Sequence, residues 1–215
     1  MTAYTYPQLA RTRLTQAESR ERTRQYLLDA TLRLMMEKGF FAASVEDITR
    51  EAGFSRGAFY SNFSSKKELF MELLKRMQEE DLLALDALMH SHIESAHLGL
   101  QQLILSVFRT IQRNGAGAIA RAEARLLASR DAEFRAWFTA FNKQATTHLV
   151  HLIRSFCVQA GHDTARSPQL ITECLIFLVE GVQLARLSGE NGDEIPDEYI
   201  VASSIEGLIR CAQRH

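Results

Sequence analysis

The chain has 215 residues, of which 46% are hydrophobic and three are proline, and its formal net charge is −1. A chain of this length can bury a substantial core in one domain or in two. It contains no apolar run long enough to cross a bilayer and no N-terminal signal-peptide stretch, so we expect a cytoplasmic protein with no membrane partner. The scarcity of proline and of alternating apolar residues predicts an all-α fold of about nine helices.

The charge is unevenly divided along the chain. Residues 1–77 contain 13 Lys and Arg against 9 Asp and Glu, whereas residues 78–215 contain 12 against 17. The basic N-terminal part favours an anionic partner such as DNA. An asymmetry of this size is also compatible with chance.

Residues 1–17 are predicted to be a flexible arm, and an amphipathic first helix follows them. The segment after that helix contains the start and stop signals of two short helices joined by a tight turn. Ser44 and Asp47 form a capping-box pattern at the start of a helix that ends at Gly53, a residue that readily adopts the left-handed conformation. This pattern predicts a helix-turn-helix, in which the second helix enters the major groove of DNA.

The second short helix, capped by Ser55 and predicted from Arg56 to Asn62, would present polar residues to DNA. The guanidinium of Arg56 can bind guanine O6 and N7, and a phosphate contact or simple solvation remains open for it. Lys66, in the first turn of the next helix, is expected to bind a phosphate there. The predicted DNA-binding residues are Ser44, Ser55, Arg56, Gly57, Tyr60, Ser61, Asn62 and Lys66.

The stretch GFSRGAFYSNFSSKKELF, from Gly53 to Phe70, resembles the signature of the tetracycline-repressor (TetR) family of transcriptional regulators. Two residues depart from it: Asn62 stands where the family usually has His, and Phe54 where Val is common. The specific resemblance covers roughly the first third of the chain. It implies a helix-turn-helix DNA-binding domain at residues 18–65, followed at residues 66–215 by a connector helix and a larger helical domain for effector binding and dimerisation.

An aromatic stripe lies in the predicted long helix from Asp131 to Ala160, where Phe134, Trp137, Phe138 and Phe141 recur at helical spacing. Core packing is the simpler explanation for each of them, and the wall of a cavity for a small, largely apolar effector is the functional one. Polar side chains such as Arg109 and Asn142 would orient the effector. The predicted pocket residues are Phe108, Gln112, Glu123, Trp137, Phe138, Phe141 and Phe177.

The last two predicted helices are apolar on more than one face, so they need burial on several sides. Pairing with the same two helices of a second copy across a two-fold axis would provide it, and the resemblance implies the same four-helix interface. The predicted interface residues are Leu175, Leu178, Val182, Ile205, Leu208 and Ile209.

Other kinds of site find little support. Cys157, Cys174 and Cys211 are expected to be reduced, and the seven histidines form no recognisable metal-ligand set, so no metal or cofactor is predicted. No nucleophile elbow, phosphate-binding glycine loop or HExxH motif is present, and we do not expect an enzyme.

We therefore predict a homodimeric, ligand-responsive DNA-binding regulator, most simply a repressor that binds a palindromic operator and is released when an effector shifts the connector helix. The alternative is a helical ligand-binding or scaffolding dimer without DNA binding. A small-molecule enzyme is the weakest candidate, because the sequence displays no catalytic constellation.

Overall fold

The computed structural model describes residues 15–94, 100–112, 115–159, 168–189 and 196–212. Within these ranges the chain forms helices and no strand, which confirms the predicted all-α fold. The nine helices of the described residues are α1 (Gln16–Lys38), α2 (Val45–Ala52), α3 (Arg56–Tyr60), α4 (Lys66–Glu94), α5 (Leu100–Gln112), α6 (Gly115–Arg130), α7 (Ala132–Gln159), α8 (Pro168–Ser188) and α9 (Asp197–Ala212).

Local capping sets where the N-terminal helices begin and end. Helix α1 includes the last two residues of the predicted arm, because Thr15 and Glu18 form a capping box, in which the Glu18 backbone N–H donates to Thr15 Oγ1 over 3.2 Å. Residues 1–14 of the predicted arm lie outside the described residues. Helix α3 ends at Tyr60, two residues earlier than predicted, where Ser61 forms the C-cap.

The larger of two apolar cores joins the first four helices to α6 and α7. Phe70 of α4 is fully buried at its centre, with its ring centroid 4.1 Å from that of Phe40 and 6.1 Å from that of Phe134. Ala120 and Ala124 of α6 belong to the same cluster. The three N-terminal helices therefore share their core with the beginning of the C-terminal part.

The second core lies between the far half of α4 and helices α5, α8 and α9. Its buried members include Leu85, Phe108, Val179 and Val201. Because α4 is about 43 Å long at 1.5 Å per residue, its first turns contact one core and its later turns contact the other. A displacement of α4 would therefore alter the packing of both cores.

In the described part of the chain, no helix combines the length and the apolar character that a bilayer span requires.

Replacing Phe70 with Ala is expected to lower the free energy of unfolding by about 3–5 kcal/mol, because it leaves a cavity between Phe40 and Phe134. Chemical denaturation of the full chain measures this change. Leu83→Ala on the same helix is the control: Leu83 is 69% exposed, so its replacement should change stability by no more than about 0.5 kcal/mol. Equal effects of the two substitutions would contradict the assigned core.

Candidate functional site

Helix α2 is held at both ends by the interactions that its sequence predicts. The Asp47 backbone N–H donates to Ser44 Oγ over 3.1 Å, and the Ser44 hydroxyl donates to Asp47 Oδ2 over 2.8 Å. Hydrogen bonding from Lys38, and then from Ser44, holds the pKa of Asp47 well below its usual range. Gly53 has φ 74° in the left-handed region and ends the helix as predicted. The Ser44 hydroxyl is thus engaged in the cap, and a DNA contact by this residue stays a prediction.

Helix α3 presents a small polar face above buried aromatic rings. Phe59 and Phe63 are buried beneath it, while Arg56, Gly57 and Tyr60 are exposed. Ser55 and Ser61 are exposed as well, and both bond the α3 backbone: Ser55 Oγ accepts from the Ala58 N–H, and the Ser61 hydroxyl donates to Ala58 O. The buried rings fix the orientation of α3, which leaves its outer face free to meet a ligand.

Arg56 is held by α2 and by its own helix. Its Nη1 lies 2.5 Å from Glu46 Oε1, and its guanidinium carbon lies 5.9 Å from the centroid of the Tyr60 ring. Hydrogen bonding with Tyr60 and, to a smaller extent, the negative charge of Glu46 raise the pKa of Arg56 above its ordinary value. The side chain remains 60% exposed. A nucleic acid that binds Arg56 must compete with the Glu46 carboxylate.

Asn62, one of the predicted DNA contacts, does not belong to the exposed face of α3, and its contact with DNA stays a prediction. The residue is 8% exposed, and its Nδ2 donates to Ala58 O over 2.8 Å. Its backbone carbonyl accepts a hydrogen bond from Arg24 Nη1 over 3.0 Å. Because α3 ends at Tyr60, the chain turns towards the interior at Asn62, and the Asn62 side chain is buried.

Lys66, which was predicted to bind a phosphate, has its ammonium bound within the protein, and its phosphate contact stays a prediction. Its ammonium donates to the carbonyl oxygens of Phe40, Phe41 and Ala43 over 2.9, 3.3 and 2.8 Å. These bonds use all three ammonium donors to hold the loop between α1 and α2. Burial lowers the pKa of Lys66, although Glu123 opposes that shift. A cation at this helix N-terminus is explained by the loop carbonyls, so the predicted phosphate is not needed to explain it.

Further contacts between the N-terminal helices and the rest of the chain were not predicted. Glu123 of α6 accepts a hydrogen bond from the Phe40 backbone N–H over 3.1 Å. Gly39, with φ 85°, makes room for this carboxylate, since a Cβ atom there would lie 2.8 Å from Glu123 Oε1. Lys67 pairs with Asp131 and Glu133 over 3.0 and 2.6 Å. The partners are far apart in sequence, so no local pattern could have revealed these contacts.

A cavity of about 400 Å³ lies between α4, α6, α7 and α8. Its wall includes Phe138, Phe141 and Phe177, three of the predicted pocket residues, together with Asn142. Most of the remaining wall is formed by residues of α4, α6 and α8, among them Leu74, Gln78, Leu82, Leu85, Ala120, Arg121, Leu175 and Val179. The volume is that of a site for a small organic molecule.

Three other predicted pocket residues do not line this cavity. Phe108 is fully buried in the second core, and Glu123 binds the loop before α2. Trp137 stands behind the wall, with its ring centroid 4.9 Å from that of Phe141. The side chain of Gln112 lies outside the described residues, and Arg109 pairs with Glu198 of α9.

The predicted dimer residues mostly face the interior of their own chain. Leu175, Val182 and Ile205 are 4%, 8% and 1% exposed, and Leu178 packs against the same core. Within one chain these residues therefore belong to the protein's own core, and a role for them in an intermolecular surface stays a prediction. The side chains of Leu208 and Ile209 lie outside the described residues. The exposed large apolar residues of α8 and α9 are Leu170, Phe177, Leu184, Leu187 and Tyr199.

Histidine and cysteine offer no further site in the part of the chain that the structure describes. His148 Nε2 lies 3.0 Å from Asp86 Oδ1, and Cys174 is a free thiol. The described residues contain no group of three or more His, Cys, Asp or Glu that could bind a metal ion.

The short α2, the turn at Gly53 and the exposed α3 define a helix-turn-helix protein with a larger helical C-terminal part. Residues 27–73 match the family of bacterial regulatory proteins called tetR. For this N-terminal segment, the match confirms the resemblance inferred from the sequence.

Among curated proteins, the chain is 42% identical over 59 residues to YwcC of Bacillus subtilis, an uncharacterized HTH-type transcriptional regulator, and the match covers 27% of this chain and 26% of that protein. It is 43% identical over 61 residues to the HTH-type transcriptional regulator AcrR of Shigella flexneri, covering 28% of each chain. These relatives are transcriptional regulators rather than enzymes. The matches span about a quarter of their length.

Solved structures resemble the chain over nearly its whole length. The structure of GusR from Salmonella enterica has a TM-score of 0.72 at 19% identity, covering 92% of this chain and 99% of that one. A transcriptional regulator from Aquifex aeolicus VF5 has a TM-score of 0.61 at 18% identity, covering 88% and 99%. At this level of identity, the likeness concerns the fold.

Replacing Lys66 with Met is expected to lower the free energy of unfolding by about 2 kcal/mol, because partly buried carbonyls of the α1–α2 loop lose a charged donor. Urea denaturation measures the loss. Lys75→Met, which removes an exposed lysine from the same helix, should have little effect. A Lys66 variant as stable as the Lys75 variant would show that the loop does not depend on this ammonium.

Proposed function

We propose that this protein is a DNA-binding transcriptional regulator that acts as a homodimer and responds to a small, largely apolar molecule. The exposed face of α3 in a TetR-family domain carries the proposal. Arg56 can bind base edges there, and Tyr60 and Ser61 can bind phosphate or base atoms. Gly57 has no side chain to hold the backbone away from DNA.

Repression is the simplest output of such a protein, since a dimer seated on an operator excludes other proteins from it. A two-fold axis would place two α3 helices on half-sites about 34 Å apart, so the operator would be palindromic. Such a regulator acts in the cytoplasm, where it meets its DNA. A ligand-binding or scaffolding dimer without DNA binding is the alternative, which a DNA-binding assay separates from the main proposal.

The dimer proposal is supported by an apolar stripe on the outer face of α8. Leu170, Phe177 and Leu184 recur every seven residues and are 50%, 68% and 58% exposed. Exposed Gly181 lies between them and would let a second helix approach closely. A regular stripe of large apolar side chains is unfavourable in water and is typical of a helix that packs against another helix.

Coupling between the effector and DNA is proposed to run through α4 and α6. Both helices line the cavity, through Leu74 and Gln78 of α4 and Ala120 and Arg121 of α6. Both also hold the loop that precedes α2, through Lys66 and Glu123. An effector would release DNA only to the extent that it prefers the arrangement of these helices that does not bind the operator.

DNA binding is tested with fragments from upstream of the protein's own gene across a salt series. The logarithm of affinity should fall linearly with the logarithm of salt concentration, because phosphate contacts displace counterions. Arg56→Ala should relax the preference at one base pair, with a cost of about 1–3 kcal/mol at that position. Arg109→Ala removes an exposed arginine of α5 and is the charge-matched control. Affinity that is absent, or indifferent to salt, would favour the alternative without DNA binding.

Replacing Leu184 with Glu is expected to shift the full-length protein from dimer to monomer, because the substitution places a charge in the apolar stripe of both copies. Sedimentation velocity measures the oligomeric state. Leu83→Glu introduces the same change at an exposed leucine of α4 and should leave the dimer intact. Dissociation by both variants, or by neither, would count against an interface on α8.

A further inference from the structure

Two polar side chains in the cavity wall have unused hydrogen-bonding capacity. Arg121 lies on α6 and Gln78 on α4, among mostly apolar neighbours such as Leu82 and Phe138. Buried polar groups in proteins are normally paired, so an unpaired group that faces a cavity indicates what an occupant could supply.

Arg121 offers donors. Among the described residues, its guanidinium makes one hydrogen bond, from Nη2 to Gln183 Oε1 over 3.0 Å. Its Nη1 lies 3.7 Å from Asp81 Oδ2, so the two groups attract each other as an ion pair, but the distance is too long for a hydrogen bond. A guanidinium has five N–H groups, so several of them remain for an acceptor. Burial lowers the pKa of Arg121 and is opposed by Asp81 and Glu180, in keeping with an incompletely compensated charge.

Gln78 offers an acceptor. Its Oε1 is shielded from solvent and accepts no hydrogen bond from a described residue. An amide oxygen in that position has lost its water without gaining a partner, which is unfavourable. A hydroxyl or N–H group inside the cavity would restore the missing hydrogen bond.

The charges around the cavity disfavour a charged occupant of either sign. Three carboxylates (Asp81, Glu173 and Glu180) and two guanidiniums (Arg121 and Arg125) belong to its wall, and Arg125 pairs with Glu180. An anion would satisfy Arg121 but would lie among more carboxylates than guanidiniums. A cation carries only donors and would leave Arg121 without an acceptor.

We infer that the cavity binds an uncharged molecule with a largely apolar body, one oxygen acceptor for Arg121 and one hydroxyl or N–H donor for Gln78. The rings of Phe138 and Phe141 and the leucines of α4 bury the body of the molecule. This inference specifies the effector of the proposed regulator and rests on that proposal.

The chain contains one tryptophan, which provides a reporter for the test. Trp137 stacks on Phe141, so an occupant that moves Phe141 changes the emission of Trp137. The probes are 1-decanol, 2-decanone, decanoate and decylammonium, which share a chain length and differ in head group. Each is titrated below its micellar concentration into the full-length protein at neutral pH.

We expect 1-decanol to bind most tightly and 2-decanone next. Each ion should bind at least about tenfold more weakly than 1-decanol, because its charged group must lose water without finding enough partners in the cavity. Tighter binding of decanoate or decylammonium than of 1-decanol would overturn the inference. Failure of all four probes to bind would overturn it as well. Operator binding is measured separately without probe, so failure here leaves the DNA-binding proposal standing.

Two variants assign the polar contacts. Arg121→Met should weaken the binding of 2-decanone by about tenfold, because it removes a hydrogen-bond donor. It should not weaken the binding of decylammonium, because it also removes a positive charge. Gln78→Met should abolish the advantage of 1-decanol over 2-decanone. If Arg121→Met does not fold, the Gln78 variant and the order of the four probes decide the question. Equal weakening of all four probes by both variants would show that Arg121 and Gln78 only shape the cavity.

Discussion

The carbonyl groups of the loop between α1 and α2 need a donor, and the first residue of α4 supplies it. Lys66 binds three of these carbonyls, and its ammonium lies 4.5 Å from the centroid of the Phe40 ring. Phe40 in turn stacks on Phe70, one helical turn further along α4. The beginning of the long helix, the loop before α2 and the centre of the larger core are thus a single packed unit. The orientation of the helix-turn-helix relative to the cavity depends on it.

The sequence was most informative where the interactions are local. The cap at Ser44, the left-handed Gly53 and the cap at Ser55 involve partners within five residues, and these features lie where they were predicted. The contacts that Asn62 and Lys66 make within the chain were not predicted, because those of Asn62 depend on how the chain turns after α3 and those of Lys66 on a loop more than 20 residues away. Residue type predicted polarity correctly, whereas three-dimensional contacts determined which polar groups remain free.

The same distinction applies to the cavity and to the dimer surface. Helical spacing correctly grouped Phe138 and Phe141 on one side of α7, but it could not show that Trp137 stands behind them. An apolar helix such as α8 has two candidate faces, and the sequence alone cannot say which one belongs to the chain's own core. Leu175 and Val182 lie on the inner face, and Leu170 and Leu184 lie on the outer one.

Gly39 and Glu123 are far apart in sequence, but they lie so close in the structure that the Glu123 carboxylate limits which residue fits at position 39. A side chain at position 39 would strain a backbone with φ 85° and would collide with the carboxylate that accepts from the Phe40 N–H. A larger residue at position 39 would require the Glu123 carboxylate to move. A substitution of Gly39 would thus disturb a contact of α6 as well as the loop before α2.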